Sequence, residues 1–350
     1  MAVTTLADLM QRTGAPQLDR KIVDEVSIAS PLFNRLPGRT ISGTNYTYLK
    51  RDTLPKIGPR PINAGVEVHK ASYKSANAQC YYYDGRIEVD KALIEADPEA
   101  KNVLMADEAR ATIKGTMFGL EQSLFYPEEG GAPCLRQTIA DYMAMSANPD
   151  IQDETAWTAG GSSVWLLHIA EDSLYNLWGN KKTIAFGPID EETVIRPTGK
   201  KDKSGNPIMG SMRAKVQHCS FWRGFVQKNE FAVGAILNES AAHPLTDEMI
   251  AQAVAMFPAA NKPNLIVMSP GSRNRLRASR STVITYRKGQ SGQTAYAETP
   301  TMWEDIPILV TDGILSNETP ENIAAFMGKN DFSAEDLKDT TKITNPNKIN

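Results

Sequence analysis

The spacing of apolar and polar positions changes period several times along the chain, and each change marks an element. Residues 1–43 form an arm with two short stretches of helical spacing. These are LADLMQR (Leu6–Arg12) and RKIVDEVSIASPLFNRL (Arg20–Leu36), the second broken at Pro31. Neither is long enough to be a stable helix alone, so each needs a surface to lie on. A strand-like period follows. TNYTYLKRD (Thr44–Asp52) and VEVHKASYK (Val66–Lys74) predict two strands joined by TLPKIGPRPINAGV (Thr53–Val66). The prolines and glycines of that connection exclude a helix. With polar residues on both faces, the ribbon has no core of its own. AQCYYYDGRIEVD (Ala78–Asp90) continues the β pattern, with Asp84-Gly85 as a hairpin-type turn.

The strongest helical signal is PEAKNVLMADEARATIKGTMFGLEQSLFY (Pro98–Tyr126). Val103, Ala106, Ile113, Met117, Leu120 and Leu124 fall on one face and are its expected core face, although Arg110 interrupts the stripe. Pro98 suits a first turn and Pro127 stops the helix. Such a helix would be about 42 Å long, more strut than packing element. LRQTIADYMAMSA (Leu135–Ala147) reads as a helical piece. Strand-like runs come next: SSVWLLHIA (Ser162–Ala170), TIAFG (Thr183–Gly187) and the long Ser211–Asn238, with a polar turn at Lys200–Gly210. They predict a meandering antiparallel sheet.

The texture changes again over 245–330. LTDEMIAQAVAMFP is an amphipathic helix with Thr246 as N-cap. NLIVMS (Asn264–Ser269) is a buried strand. PGSRNRLRASR (Pro270–Arg280) is a basic helix on which Arg273, Arg277 and Arg280 share a face, and MWEDIPILVTDGIL (Met302–Leu315) is a further strand. These make an α/β module. The final twenty residues are polar and coreless.

Composition narrows the function. The 350 residues are 41% hydrophobic with a formal net charge of −3, enough to build real cores but not the basic surface of a chain that grips nucleic acid everywhere. The three cysteines, Cys80, Cys134 and Cys219, have no finger or CxxC spacing, so free buried thiols are expected, not zinc or disulfides. No signal peptide or membrane span is expected. Candidate chemistry is sparse. The four histidines have no ligand-spaced partners, and GxSxG, GxGxxG and GxxxxGK[ST] are absent. No catalytic, cofactor-binding or metal-ligating residue is assigned. The arginine helix could bind phosphate, or could be a solvated or inter-subunit face. Tyr81-Tyr82-Tyr83 could stack on bases, or could pack on the long helix.

Coreless arms, a basic ribbon, a strut helix and no active site point to surfaces supplied by other copies of the chain. The order of parts resembles the major capsid protein of tailed bacteriophages, the fold named after phage Hong Kong 97. The resemblance implies an α+β fold with N-terminal arm (1–43), extended E-loop hairpin (44–85), peripheral domain (86–238) with spine helix 99–126 and long hairpins, axial domain (239–330) and C-terminal tail (331–350). The peripheral sheet precedes the axial module here, as in the permuted branch of some short-tailed phages. The resemblance implies a structural protein without catalysis or cofactor, forming pentamers and hexamers of an icosahedral virion shell. That shell would enclose double-stranded DNA without sequence-specific binding and be assembled in the host bacterial cytoplasm. Scaffolding, cement and portal proteins would be separate chains. Arg51, Lys56 and Arg60 of the E-loop, and Arg273, Arg277 and Arg280 of the axial domain, are then expected inter-subunit contacts. Two alternatives stay open: an encapsulin-like nanocompartment, and an enzyme or binding protein built on the α/β module at 245–330.

Overall fold

The computed structural model describes residues 30–66, 68–96, 100–150, 161–201, 203–287 and 297–327, without the side chains of 96, 100–104, 199 and 282–287. In chain order the elements are α1 (Pro31–Arg35), β1 (Gly38–Thr40), β2 (Asn45–Thr53), β3 (Ser72–Gln79), β4 (Tyr81–Asp90), α2 (Lys91–Ala96) and α3 (Ala100–Phe125). Then come α4 (Leu135–Thr138), β5 (Ala144–Ser146), β6 (Ser162–Leu167), β7 (Leu174–Trp178), β8 (Phe186–Lys201), β9 (Pro207–Gln227) and β10 (Val233–Glu239). Last are α5 (Asp247–Ala255), β11 (Leu265–Met268), α6 (Pro270–Arg287), β12 (Met302–Trp303), β13 (Ile306–Val310) and α7 (Pro320–Phe326).

The chain divides into two compact units. In the first, which takes 82–118 and 182–221 of the described chain, β8 and β9 form a long antiparallel hairpin, in register from Ile189↔Gln217 to Pro197↔Met209. Its apolar content is small. One cluster is Ile87, Val89, Leu93, Ile94 and Met105, another Val194, Ala214 and Val216. Ion pairs supplement them. Arg196 reaches both Glu88 oxygens at 3.2 and 2.6 Å, Arg86 meets Glu192 at 2.9 Å, and Lys91 meets Glu191 at 2.9 Å. Tyr83 stacks on Phe221 of β9 at 5.2 Å.

The second unit takes 30–81, 119–181 and everything described from Trp222 onward. Its centre is a six-stranded sheet in the order β12-β13-β11-β6-β10-β5. Every residue of β6, β10 and β11 is buried. Strands covered on both faces need not alternate, which is why SSVWLL and LIVM read as continuous runs. The close approach of β6 to β10 depends on Gly161, where a Cβ would sit 2.4 Å from the Asn238 carbonyl carbon. Gly161→Ala must push the strands apart and is expected to cost ~1–3 kcal/mol, as overpacking does, read as a lowered urea midpoint with unchanged slope.

Several expectations change. Strand β3 starts at Ser72 rather than Val66, because Pro55, Pro59 and Pro61 opposite cannot supply a full ladder. Asp84-Gly85 is not a turn; β4 runs straight through it, with Gly85 facing the Cys219 carbonyl. Leu135–Ala147 is one helical turn, a 3₁₀ turn and strand β5. The run 211–238 is two strands, and β12 and β13 form an antiparallel pair where one strand was expected. Pro31 stands in the first turn of α1. The sheet also unites β5, β6 and β10 with β11 and β13. The pieces at Leu6–Arg12 and 20–29, the stretch 288–296 and the tail 331–350 lie outside the described residues.

The long helix is present as Ala100–Phe125, but its expected core face is covered only in part. Leu120 and Leu124 are buried, Met117 is half-buried, and Val103's side chain lies outside the described residues. Ala106 is exposed and Ile113 is 41% exposed, although both share the face of Leu120. Periodicity identifies a face; it does not say how far along the helix the chain's own cores extend.

Candidate assembly surfaces

The 45–79 hairpin is anchored at its root and bare beyond it. Strands β2 and β3 pair from Asn45↔Gln79 to Arg51↔Tyr73, and after a register shift Thr53 and Ser72 meet through their hydroxyls at 2.8 Å. At the root Tyr48, Ala76, Ala78 and Cys80 pack with Tyr175, Leu177 and Val226. Tyr46 stacks on Tyr48 at 5.7 Å, and the Tyr48 hydroxyl donates to the Gln227 carbonyl at 3.3 Å. Burial pushes the Cys80 thiol up to about 11, so at neutral pH it is a packing group and not a nucleophile.

Past Leu49 the packing stops. Arg51 lies 5.7 Å over the Tyr73 ring, and Lys74 meets Asp52 at 3.1 Å. The tip closes on itself. Arg60 Nη1 donates to the Ala64 carbonyl at 2.8 Å, Ala64 N–H donates to Pro61 at 3.2 Å, and Asn63 takes φ 66°. Lys56 is exposed. So are Leu54, Ile57, Ile62, Val66 and Val68, with Ile57, Ile62 and Val68 at 91%. The expected charges are thus outnumbered by large apolar side chains, a feature the sequence shows but its prolines and basic residues overshadow. Clustered exposed apolar residues of this kind mark an interaction surface.

The arginine helix is arranged differently. Arg280 grips Asp247 with Nε and Nη2 at 2.6–3.1 Å, tying α6 to the first turn of α5. Arg277 Nε donates to the Ala297 carbonyl at 2.7 Å. Arg273 Nε is buried and has no hydrogen-bond partner among the described residues. The face expected to reach a neighbour therefore spends Arg277 and Arg280 inside its own chain. Arg275, off that face, pairs with fully buried Glu239, Nη2 to Oε2 at 2.7 Å. That pair went unrecognised in the sequence; its signal is a lone acid ending the apolar run VGAILNE.

Two further buried carboxylates sit where elements meet. Glu318 pairs with Arg136 at 2.5 Å and accepts from Tyr126 and Ser163, each at 2.7 Å. Glu121 accepts from Phe33 N–H at 3.1 Å and from the Thr311 hydroxyl. Among the described residues no group of three or more His, Cys, Asp or Glu could hold a metal, and no helix is long and apolar enough to cross a membrane.

The sequence profile described as Major capsid protein GP7 matches residues 40–321. No curated protein matches the chain in sequence. Among solved structures, a chain of bacteriophage Epsilon15 is similar at 13% identity and TM-score 0.65, covering 91% of this chain and 97% of that one. A capsid chain of bacteriophage JBD30 is similar at 13% identity and TM-score 0.47, covering 89% and 99%. The SrpI encapsulin of Synechococcus elongatus reaches TM-score 0.40 at 12% identity, covering 68% and 96%. The first shows a shared fold; the other two are too distant to argue from. The profile match takes in the hairpin, the strut helix and the six-stranded sheet, and on it the chain belongs to the major capsid protein GP7 family, a shell-forming structural protein of phage virions.

Proposed function

We propose that copies of this chain close into an icosahedral shell of pentamers and hexamers around the double-stranded DNA of a tailed bacteriophage, each hairpin tip laid on a neighbouring copy. The observation that supports this reading is the tip itself, five large apolar residues exposed on a ribbon whose root is well packed. Arg51, Lys56 and Arg60 act there at the rim, each exposed pair adding ~0.2–1 kcal/mol. Arg277 and Arg280 act in this reading by shaping the axial module rather than by reaching across, which leaves Arg273 as its candidate contact. The shell needs no catalysis, and a chain of net charge −3 encloses DNA without gripping it, since tight binding comes from many Lys/Arg–phosphate contacts. Assembly takes place in the host bacterial cytoplasm, with scaffolding and portal as separate chains.

The test is size. The purified chain, alone or with its scaffolding partner, is expected to give megadalton particles by sedimentation and closed shells by negative stain. A chain that stays monomeric or dimeric under every assembly condition sinks the reading.

A further inference from the structure

Glu121 lies in the C-terminal part of α3 with no exposed surface. Its two oxygens bind different parts of the fold: one accepts Phe33 N–H of α1 at 3.1 Å, the other the Thr311 hydroxyl just after β13. That hydroxyl is fixed in turn by Gly313 N–H at 3.0 Å. The packing is close, for a Cβ on Gly313 would stand 3.2 Å from Glu121 Cγ. Three segments distant in sequence, 31–35, 120–125 and 311–313, thus meet at one carboxyl.

Its charged surroundings do not neutralise it. Glu121 forms no ion pair among the described residues. From α1 it faces the apolar Leu32 and Phe33, and that helix's only charge, Arg35, is exposed. From the segment after β13 comes Asp312, a like charge. From β9 comes buried Arg223, but its Nη1 is committed to Ser123 Oγ at 2.5 Å and its guanidinium lies 5.5 Å over the Phe33 ring. From α7, Glu321 is exposed.

We infer that Glu121 is a proton-controlled latch: protonated, it fastens α1 and the Thr311–Gly313 turn to α3, and ionised, it loosens them. The proposal concerns the subunit's own chemistry and does not rest on the shell reading. Burial first, then Asp312, raise the Glu121 carboxyl to about 7, against the bonds from Thr311, Phe33 and Leu32 that favour the anion. The folded value lies above the ordinary 4.5, so the latch is complete at low pH and fades as pH rises through neutrality. The difference corresponds to about 300-fold tighter proton binding in the closed joint than in the open one.

The test is amide hydrogen exchange of the full chain against pH, corrected for intrinsic rates. Protection over 31–36 and 311–315 is expected to fall by roughly tens-fold between about pH 5 and about pH 8.5. Glu121→Gln, neutral and similar in shape, is expected to keep those amides protected at both ends. Thr311→Val removes a donor to the anion and is expected to move the midpoint to higher pH, an effect that a merely structural contact would not produce. It also serves if Glu121→Gln fails to fold. A flat wild-type profile, an unchanged pH dependence in Glu121→Gln, or a Thr311→Val midpoint that stays or moves down would each overturn the latch.

Discussion

Arg136→Met is expected to cost ~3–5 kcal/mol and to leave little soluble chain, because it strands a buried carboxylate. The guanidinium of Arg136 has no exposed surface and Glu318's side chain is 2% exposed. Around the ion pair, Arg136 Nε donates to the Phe125 carbonyl and Nη2 to Ser163 Oγ, both at 3.1 Å. Its plane lies 5.1 Å over Tyr126 and 5.7 Å over Trp165. Ser163 Oγ also accepts the Trp165 indole N–H at 2.9 Å and donates to Glu318 at 2.7 Å. Methionine replaces the aliphatic stem but none of those donors. A loss of that size is a large share of the ~5–15 kcal/mol that holds an ordinary domain. Adding Glu318→Gln removes the stranded charge, so the double variant is expected to be more stable than Arg136→Met alone. Urea unfolding of the two single variants and the double one measures this coupling. A single variant within ~1 kcal/mol of wild type would mean that water reaches the site and that the network is not closed.

This network also marks where the sequence stops being readable. Local signals served well: the Thr246 cap receives Met249 N–H at 3.3 Å, NLIVMS is a core strand, and the strut helix ends at Phe125, within one residue of its expected end. These features are set by neighbours a few positions away. Arg136 and Glu318 are 182 positions apart, and nothing in either one's surroundings names the other. Asp84-Gly85 failed for a related reason, since turn chemistry gave way to pairing with a distant strand. The break of 211–238 into β9 and β10 went unread although the polar run QKNE (Gln227–Glu230) interrupts the apolar texture there, where Asn229 caps a single 3₁₀ turn by accepting from Phe231 N–H. The tip of the hairpin was legible as coreless, but its charges drew attention that its apolar residues merit more.

Replacing Ile57, Ile62 and Val68 together by serine is expected to abolish shells while leaving the subunit's own stability unchanged. All three are 91% exposed, so the isolated chain loses no packing, and surface changes of this kind stay within about ±0.5 kcal/mol. Seated on a neighbour, each such side chain contributes about 1.5–3 kcal/mol if fully buried. Three per copy therefore outweigh the ~0.2–1 kcal/mol expected of each exposed ion pair made by Lys56 or Arg60. Because every copy in a closed shell uses the same contact, a loss per subunit is multiplied through the particle. The charge variant Lys56→Glu with Arg60→Glu provides the comparison. It should raise the concentration needed for assembly and make it more sensitive to salt, yet still yield shells. Light scattering during assembly and urea melts of the unassembled chain separate the two effects. If the triple serine variant assembles as wild type does while the charge variant does not, the tip is held by its charges, and the apolar residues face solvent in the particle too. If the serine variant instead unfolds more readily as a free subunit, the tip packs on its own chain, and the hairpin is a folding element rather than a clamp.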